Sequence, residues 1–188
     1  PLHTAEILHG SLWLTPRPGV PHQAVSDELS ADLIVRHRRR RGADDPPSGW
    51  IIMTEVELHL GDPVPESTVV VPDLSGWRRA RLPRRPSTAA ITLRPDWVCE
   101  ILSPGARNVR RDRLVKTPLY HDLGVPWLWI VDPLARTVEA YRHEPEGYLQ
   151  VGVFGGTGEA TIPPFDEAPF ALGNWWPDAE EDEEAGEG

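Results

Sequence analysis

The segment Asp96-Trp-Val-Cys-Glu-Ile-Leu-Ser103 restricts the fold more than any other stretch of the chain. It is mostly apolar and lacks the two-residue alternation of a half-wet strand, so it reads as a strand buried on both faces. Such a strand needs cover on each side of its sheet. One carboxylate, Glu100, lies inside it between Cys99 and Ile101. An ionised carboxylate there is costly unless it meets a cation or several donors, so Glu100 is either half of a buried ion pair with an arginine or part of a site.

The segments around this strand supply the cover. Two short apolar runs flank His9-Gly10 between Glu6 and Thr15, the pattern of a hairpin. Val25, Leu29 and Leu33 recur at helical spacing within His22–Arg36, with Pro21 near the start. Strands are predicted over Trp50–Leu60 and Thr68–Ser75, then an Arg- and Pro-rich loop over Trp77–Pro95. Val109–Leu123 reads as a second helix, with Gly124 beyond its end and Pro118 inside it, where a kink or a fresh start is expected. Strands follow at Pro126–Asp132, Thr137–His143 and Gly147–Phe154, with Glu146-Gly147 as a turn and Gly152–Gly158 read as a turn rather than a nucleotide loop. This order predicts an α/β or α+β fold, a mixed sheet with helices packed against it. Residues 1–176 form the expected single domain, with 37–49 a mobile loop and 177–188 an acidic disordered tail.

Composition removes several classes of function. The chain has 188 residues and one cysteine, so neither a disulfide framework nor a cysteine zinc site holds it together. No apolar run reaches the ~20 residues of a membrane span, and the first ten residues do not form a secretion signal, which predicts a cytoplasmic protein. The net charge of -10 is misleading, because seven acidic residues lie between Asp178 and Gly188 and the rest of the chain carries only -3. Arginines are bunched at 38–41, at 78, 79, 81, 84 and 85, and at 107, 110, 111 and 113, so one face can still attract an anion. There is no His-Glu-x-x-His pair, no Gly-x-Ser-x-Gly elbow and no phosphate loop before the lone lysine.

Three charged groups stand out: Asp73 in Val-Val-Val-Pro-Asp-Leu, Glu100, and Lys116 in the second helix. Carboxylates from neighbouring strands suit Mg²⁺, which takes carboxylates and waters and leaves room for a phosphate. Asp73 alone also fits a plain turn after Pro72. The chain uses eighteen arginines and one lysine, so a retained lysine suggests a place that wants a compact ammonium rather than a planar fork. A chance surface lysine is the competing reading. Asp112, Lys116 and Tyr120 follow one another at four-residue steps and share one helix stripe, where an Asp-Lys pair can also be a mere solvated bridge.

Taken in order, Val-Pro-Asp73, Pro95-Asp-Trp-Val-Cys-Glu100-Ile-Leu-Ser-Pro104, Asp112-x-x-x-Lys116-x-x-x-Tyr120 and Gly-Val-Pro-Trp-Leu-Trp-Ile-Val-Asp-Pro133 resemble the Uma-two family of restriction-endonuclease-like proteins. Glu6-Ile-Leu-His-Gly10 and His22 extend the resemblance over nearly the whole chain except the tail and the loop before Gly49. The family is placed in the PD-(D/E)xK nuclease superfamily, which implies a mixed β-sheet flanked by helices and hydrolysis of DNA phosphodiesters assisted by Mg²⁺ or Mn²⁺. By position, Asp73 and Glu100 are the implied metal carboxylates, with the backbone carbonyl of Ile101 as a further ligand. Leu102 stands where the superfamily usually has lysine, and Lys116 matches a lysine moved to the helix, provided that the helix packs over the strand ends. His22, Asp112 and Tyr120 are accessory positions, and His22 and Glu6 match family positions for which a core or hairpin role competes.

Arg78, Arg79, Arg81, Arg107, Arg110 and Arg111 are the expected DNA contacts, with both of their segments flanking the site; a solvated basic surface is the alternative. The acidic tail could compete with DNA for these patches. A rival reading is a nuclease fold without turnover that binds nucleic acid or a protein partner, favoured by Leu102. A third is an interaction protein that uses Trp127, Trp129, Trp175 and Trp176 as interface aromatics, although large tryptophans are more often core. A homodimer is left open.

Overall fold

A computed structural model describes residues 3–37, 49–61, 68–103 and 111–176. The tail at 177–188 lies outside these residues, as does the loop expected at 37–49 apart from its two ends. The chain opens with a hairpin of β1 (His3–Leu8) and β2 (Ser11–Pro16), turned through His9 and Gly10. Both turn residues have positive φ, 48° and 73°, the two-residue turn whose twist matches its strands. Helix α1 (Val20–Arg36) follows with Pro21 in its first turn, where the missing N–H has no partner to lose. Its buried face is Val25, Leu29 and Leu33, as the spacing predicts.

The expected stretch Trp50–Leu60 is two strands, β3 (Trp50–Thr54) and β4 (Glu57–Leu60), because Glu55 turns the chain with φ 46°. Thr68–Ser75 is divided as well, into β5 (Thr68–Val70) and β6 (Leu74–Arg78), around Pro72, which has no ladder donor. Each break carries the chain from one sheet to another. β3 and β6 lie in a six-stranded sheet with β8 (Trp97–Ile101), β9 (Trp127–Asp132), β10 (Thr137–Glu144) and β11 (Gly147–Gly155), ordered β11-β10-β9-β8-β6-β3, whereas β4 and β5 lie with β7 (Ala90–Ile91) in a five-stranded sheet ordered β2-β1-β5-β4-β7. Here β7 is a short strand inside the expected Arg-Pro loop. The two crossings are stitched together where Glu55 N–H donates to the Asp73 carbonyl at 3.0 Å.

β8 is buried along its whole length and runs parallel to β9 (Trp127–Asp132), which it joins through a helical crossover. Trp97, Cys99 and Ile101 face α1 and a cluster that includes Trp129 and Phe165, while Val98 faces a second cluster with Leu119, Tyr120 and Leu128. The ring of Trp97 meets the edges of Trp129 and Phe165 at centroid distances of 5.1 and 4.9 Å, a favoured aromatic geometry. Two-sided burial of this kind contributes about 1.5–3 kcal/mol per large apolar side chain, so β8 anchors both cores.

The crossover holds a π-helical turn (Asp112–Lys116) and helix α2 (Thr117–Asp122) in place of one continuous helix. Pro118 explains the change: it cannot donate to the carbonyl four residues back and its ring would crowd it. Thr117 N–H instead reaches back five residues to the Asp112 carbonyl, and Pro118 falls in the first turn of α2. The chain closes with the meander β10 (Thr137–Glu144) and β11 (Gly147–Gly155), turned through Pro145-Glu146, one residue earlier than expected. A pair not anticipated from the sequence, β12 (Glu159–Ile162) and β13 (Phe165–Ala171), covers the α1 side. Arg36 ties it to α1 by donating to the Ala168 and Pro169 carbonyls and stacking on Phe170.

Trp129, Trp175 and Trp176 are buried in the core and Trp127 is partly buried against it, so their reading as interface aromatics is corrected. The result is a mixed α+β fold dominated by sheets, with two α-helices among the described residues. No helix among them is long and apolar enough to cross a membrane.

Candidate active site

The sheet crossing brings the acidic residues together. Asp73 sits just before β6, where its Oδ2 accepts the Ile101 backbone N–H at 2.6 Å and its Oδ1 lies 3.1 Å from His22 Nε2. His22 is placed there by the first turn of α1 and is almost fully buried. Glu100 points from β8 toward the crossover. The two-residue period of the strand puts it on the same side as Val98, and α2 covers that side with Leu119 and Tyr120.

Lys116 reaches this carboxylate from the π-helical turn. Its Nζ donates to Glu100 Oε1 and Oε2 at 3.0 and 3.1 Å and stands 3.0 Å from Glu6 Oε1. Glu6 comes from β1 and also accepts the Val71 N–H at 2.9 Å. The Tyr120 hydroxyl donates to Glu100 Oε1. Asp112 is held by Arg111, whose Nε and Nη2 lie 2.8 and 2.7 Å from its Oδ1 and whose Nη1 donates to Thr15. Of these groups, Glu6, His22, Asp73, Glu100, Arg111 and Lys116 border a cleft of about 50 Å³ at the strand ends, with Asp112 and Tyr120 behind them. It has room for an ion with one or two waters, at about 30 Å³ per water.

Burial pushes the Glu100 carboxyl up to about 8; Lys116 pulls it down, but Asp73, Asp112 and Glu6 push it further up. Burial also raises Asp112, against Lys116 and Arg111. For Lys116, burial alone would lower the ammonium, and Glu100, Glu6, Asp112 and Asp73 more than reverse it. Lys116 therefore stays charged, and Tyr120, raised by burial and by Glu100, stays a neutral donor. Four carboxyl groups, Glu6, Asp73, Glu100 and Asp112, are packed around two permanent cations, Lys116 and Arg111. With Glu100 raised to about 8, the crowding of like charges is relieved at neutral pH by a proton on that carboxyl.

The structure gathers Asp73, Glu100, Ile101, Lys116, His22, Asp112 and Tyr120 in one place, and Glu6 joins them as a partner of Lys116. Glu6 carried a signal of its own: it shares its strand face with Leu8, so a carboxylate sits on the core side of the hairpin. Arg111 turns inward to Asp112, whereas Arg107 and Arg110 lie outside the described residues. Arg78, Arg79 and Arg81 begin a loop at the other end of β6 from Asp73, so the expectation that this loop flanks the site is corrected. Arg81 is paired with Asp96 at 2.5 Å and Arg78 stacks on Trp50. Among the described residues no three His, Cys, Asp or Glu side chains make a metal cage by themselves.

Comparison with solved structures finds a likeness to a chain described as a "putative nuclease belonging to DUF820" from Anabaena variabilis. It is 22% identical, with a TM-score of 0.68 over 92% of this chain and 89% of that one, which shows a shared fold. No curated protein matches the chain. The model of the Uma2 family, described as "Putative restriction endonuclease", matches residues 1–171, from the first hairpin through the end of β13. A match of that extent, over the same strands that carry Asp73 and Glu100, makes this chain a member of the Uma2 family.

Proposed function

We propose that the protein is a metal-dependent endonuclease hydrolysing DNA phosphodiester bonds. The crowding of buried carboxyl groups beside an open cleft carries this reading, because a divalent cation can take the place of the proton that Glu100 holds. The donor set fits Mg²⁺ or Mn²⁺: oxygens of Asp73 and Glu100, with the Ile101 carbonyl next to them, and waters for the rest. When bound, the metal supplies an acidified water and neutralises charge on the phosphate. Ile101 N–H and His22 fix the Asp73 carboxylate, and Tyr120 and Lys116 fix that of Glu100. Lys116, held protonated between two carboxylates, cannot take a proton from water; it orients Glu100 and sets positive charge beside the phosphate.

The test is cleavage of labelled single- and double-stranded DNA with Mg²⁺ or Mn²⁺, against EDTA and against the Glu100→Gln and Lys116→Ala variants. Metal-dependent cutting is expected, lost in Glu100→Gln and slowed about 10²- to 10³-fold in Lys116→Ala. Leu102, buried in the apolar cluster beneath α2, leaves the usual lysine position of the superfamily without a cation and favours a second reading. In that reading the fold binds nucleic acid without turnover. Absence of cutting by a folded parent that still binds DNA selects it.

A further inference from the structure

A second opening lies at the far end of α1 from the carboxylates. A groove of about 390 Å³ runs between the last turn of α1, the start of β3 and the loop after β6. Val35, His37, Trp50, Arg79, Arg84 and Arg85 line it, and no acidic residue does among those described. Arg84 and Arg85 are exposed and form no ion pair among the described residues. Arg85 is aimed by one neutral contact, Nη2 donating to the Ile52 carbonyl at 3.2 Å, which restrains the side chain without cancelling its charge. Arg79 donates to the His37 carbonyl at 3.3 Å and fixes the groove floor to the end of the helix. The exposed Val35 and the half-buried Ile34 add an apolar wall over the buried Trp50.

The guanidinium groups of Arg84 and Arg85, without carboxylate partners among the described residues and beside an apolar wall, match a sugar-phosphate backbone: the fork takes phosphate oxygens and the wall takes the sugar. Helix α1 sets the distance. His22 touches Asp73 and His37 lines the groove, so fifteen helical steps at 1.5 Å separate the two sites by about 22 Å. At about 3.4 Å per nucleotide along one strand, that span is six or seven nucleotides.

We propose that this groove is a remote anchor for the DNA backbone, Arg84 and Arg85 holding phosphates about six or seven nucleotides from the bond at the carboxylate site. The inference rests on the nucleic-acid reading above and adds its footprint. It is tested by fluorescence anisotropy in EDTA with the full chain, using a labelled duplex of about twenty base pairs and a hairpin stem of about five, too short to span both sites. The Arg84→Ala/Arg85→Ala double variant is expected to bind the long duplex about tenfold more weakly. Its log-log salt slope should be shallower by about two, while the short stem binds as the parent does. Arg84→Lys/Arg85→Lys keeps the charges and should restore the slope, which separates lost phosphate contacts from a damaged fold. Unchanged affinity and slope on the long duplex overturn the anchor, as does an equal loss on the short stem. A parent that cuts DNA while the double variant binds normally sinks the anchor alone; a parent that neither cuts nor binds DNA sinks the nucleic-acid reading with it.

Discussion

Lys116→Met tests the charge arrangement without any substrate. Glu6 and Glu100 are each 2% exposed, and Nζ stands 3.0 Å from an oxygen of both. Removing one partner of a buried ion pair costs about 3–5 kcal/mol, a large share of the ~5–15 kcal/mol that stabilises a domain. For a chain of this size the loss lowers Tm by roughly 6–20 °C. Its pH dependence is the sharper signature. Without the ammonium, the Glu100 carboxyl keeps its proton when folded to a higher pH than in the parent, but loses it when unfolded above the ordinary carboxyl range. Such a proton destabilises the fold by about 1.4 kcal/mol per pH unit as pH rises. Glu100 is already raised to about 8 in the parent, so variant and parent lose stability alike up to that pH, and the gap between them widens above it. The gap should be level from about pH 5 to 7 and grow by up to about 1.4 kcal/mol per pH unit above pH 8. Urea unfolding at a series of pH values measures it. A gap under about 1 kcal/mol at pH 7, or one that does not widen above pH 8, would refute the reasoning.

Other expectations follow from the same site and core. Because the Glu100 carboxyl lies at about 8, it must shed a proton to hold a cation. Mn²⁺ affinity should therefore climb by up to about tenfold per pH unit from 6 to 8 and then level, with about one proton released in calorimetry; a flat profile counts against Glu100 as a ligand. Tyr120→Phe removes the hydroxyl that donates to Glu100 and should move the midpoint of that profile upward, with about 1–3 kcal/mol of stability lost. An unmoved midpoint would show that the hydroxyl does not favour the ionised carboxylate. In the core, a Cβ on Gly76 would stand 3.0 Å from the Trp97 ring, 3.1 Å from Ile52 and 3.3 Å from Trp50. Gly76→Ala should cost about 1–3 kcal/mol in chemical denaturation, and a neutral result would mean that these rings can shift.

The sequence was most informative where one physical demand dominated. The apolar run Trp97–Ile101 announced a strand covered on both faces, and α1 announced its buried stripe, because burial alone sets those patterns. Asp73, Glu100 and Lys116 stood out by chemical oddity: carboxylates at strand ends and one lysine among eighteen arginines. What the sequence concealed depended on tertiary choices. Nothing local says that Glu55 and Pro72 turn the chain into another sheet, and the alternation of Val56, Leu58 and Leu60 is compatible with continuing straight on. The π-helical turn is a negotiated answer to Pro118, visible only as a conflict in the helix pattern. β13 has little strand signal because its middle residues, Asp166, Glu167, Ala168 and Pro169, are exposed and its buried apolar residues are only Phe165 and Phe170. Two arginine segments read as flanking the site, whereas β6 holds the loop of Arg78, Arg79 and Arg81 a strand length away from the carboxylates.

The stitch between the two sheets gives Asp73 a double duty. Its carbonyl receives Glu55 from one crossing and its carboxylate receives Ile101 from the central strand, so the residue is a rivet as well as a ligand candidate. Opening the cleft by parting the sheets would have to draw that rivet. The carboxylates are thus mounted on a fixed frame, and whatever enters the cleft of about 50 Å³ must adapt its own shape to that frame.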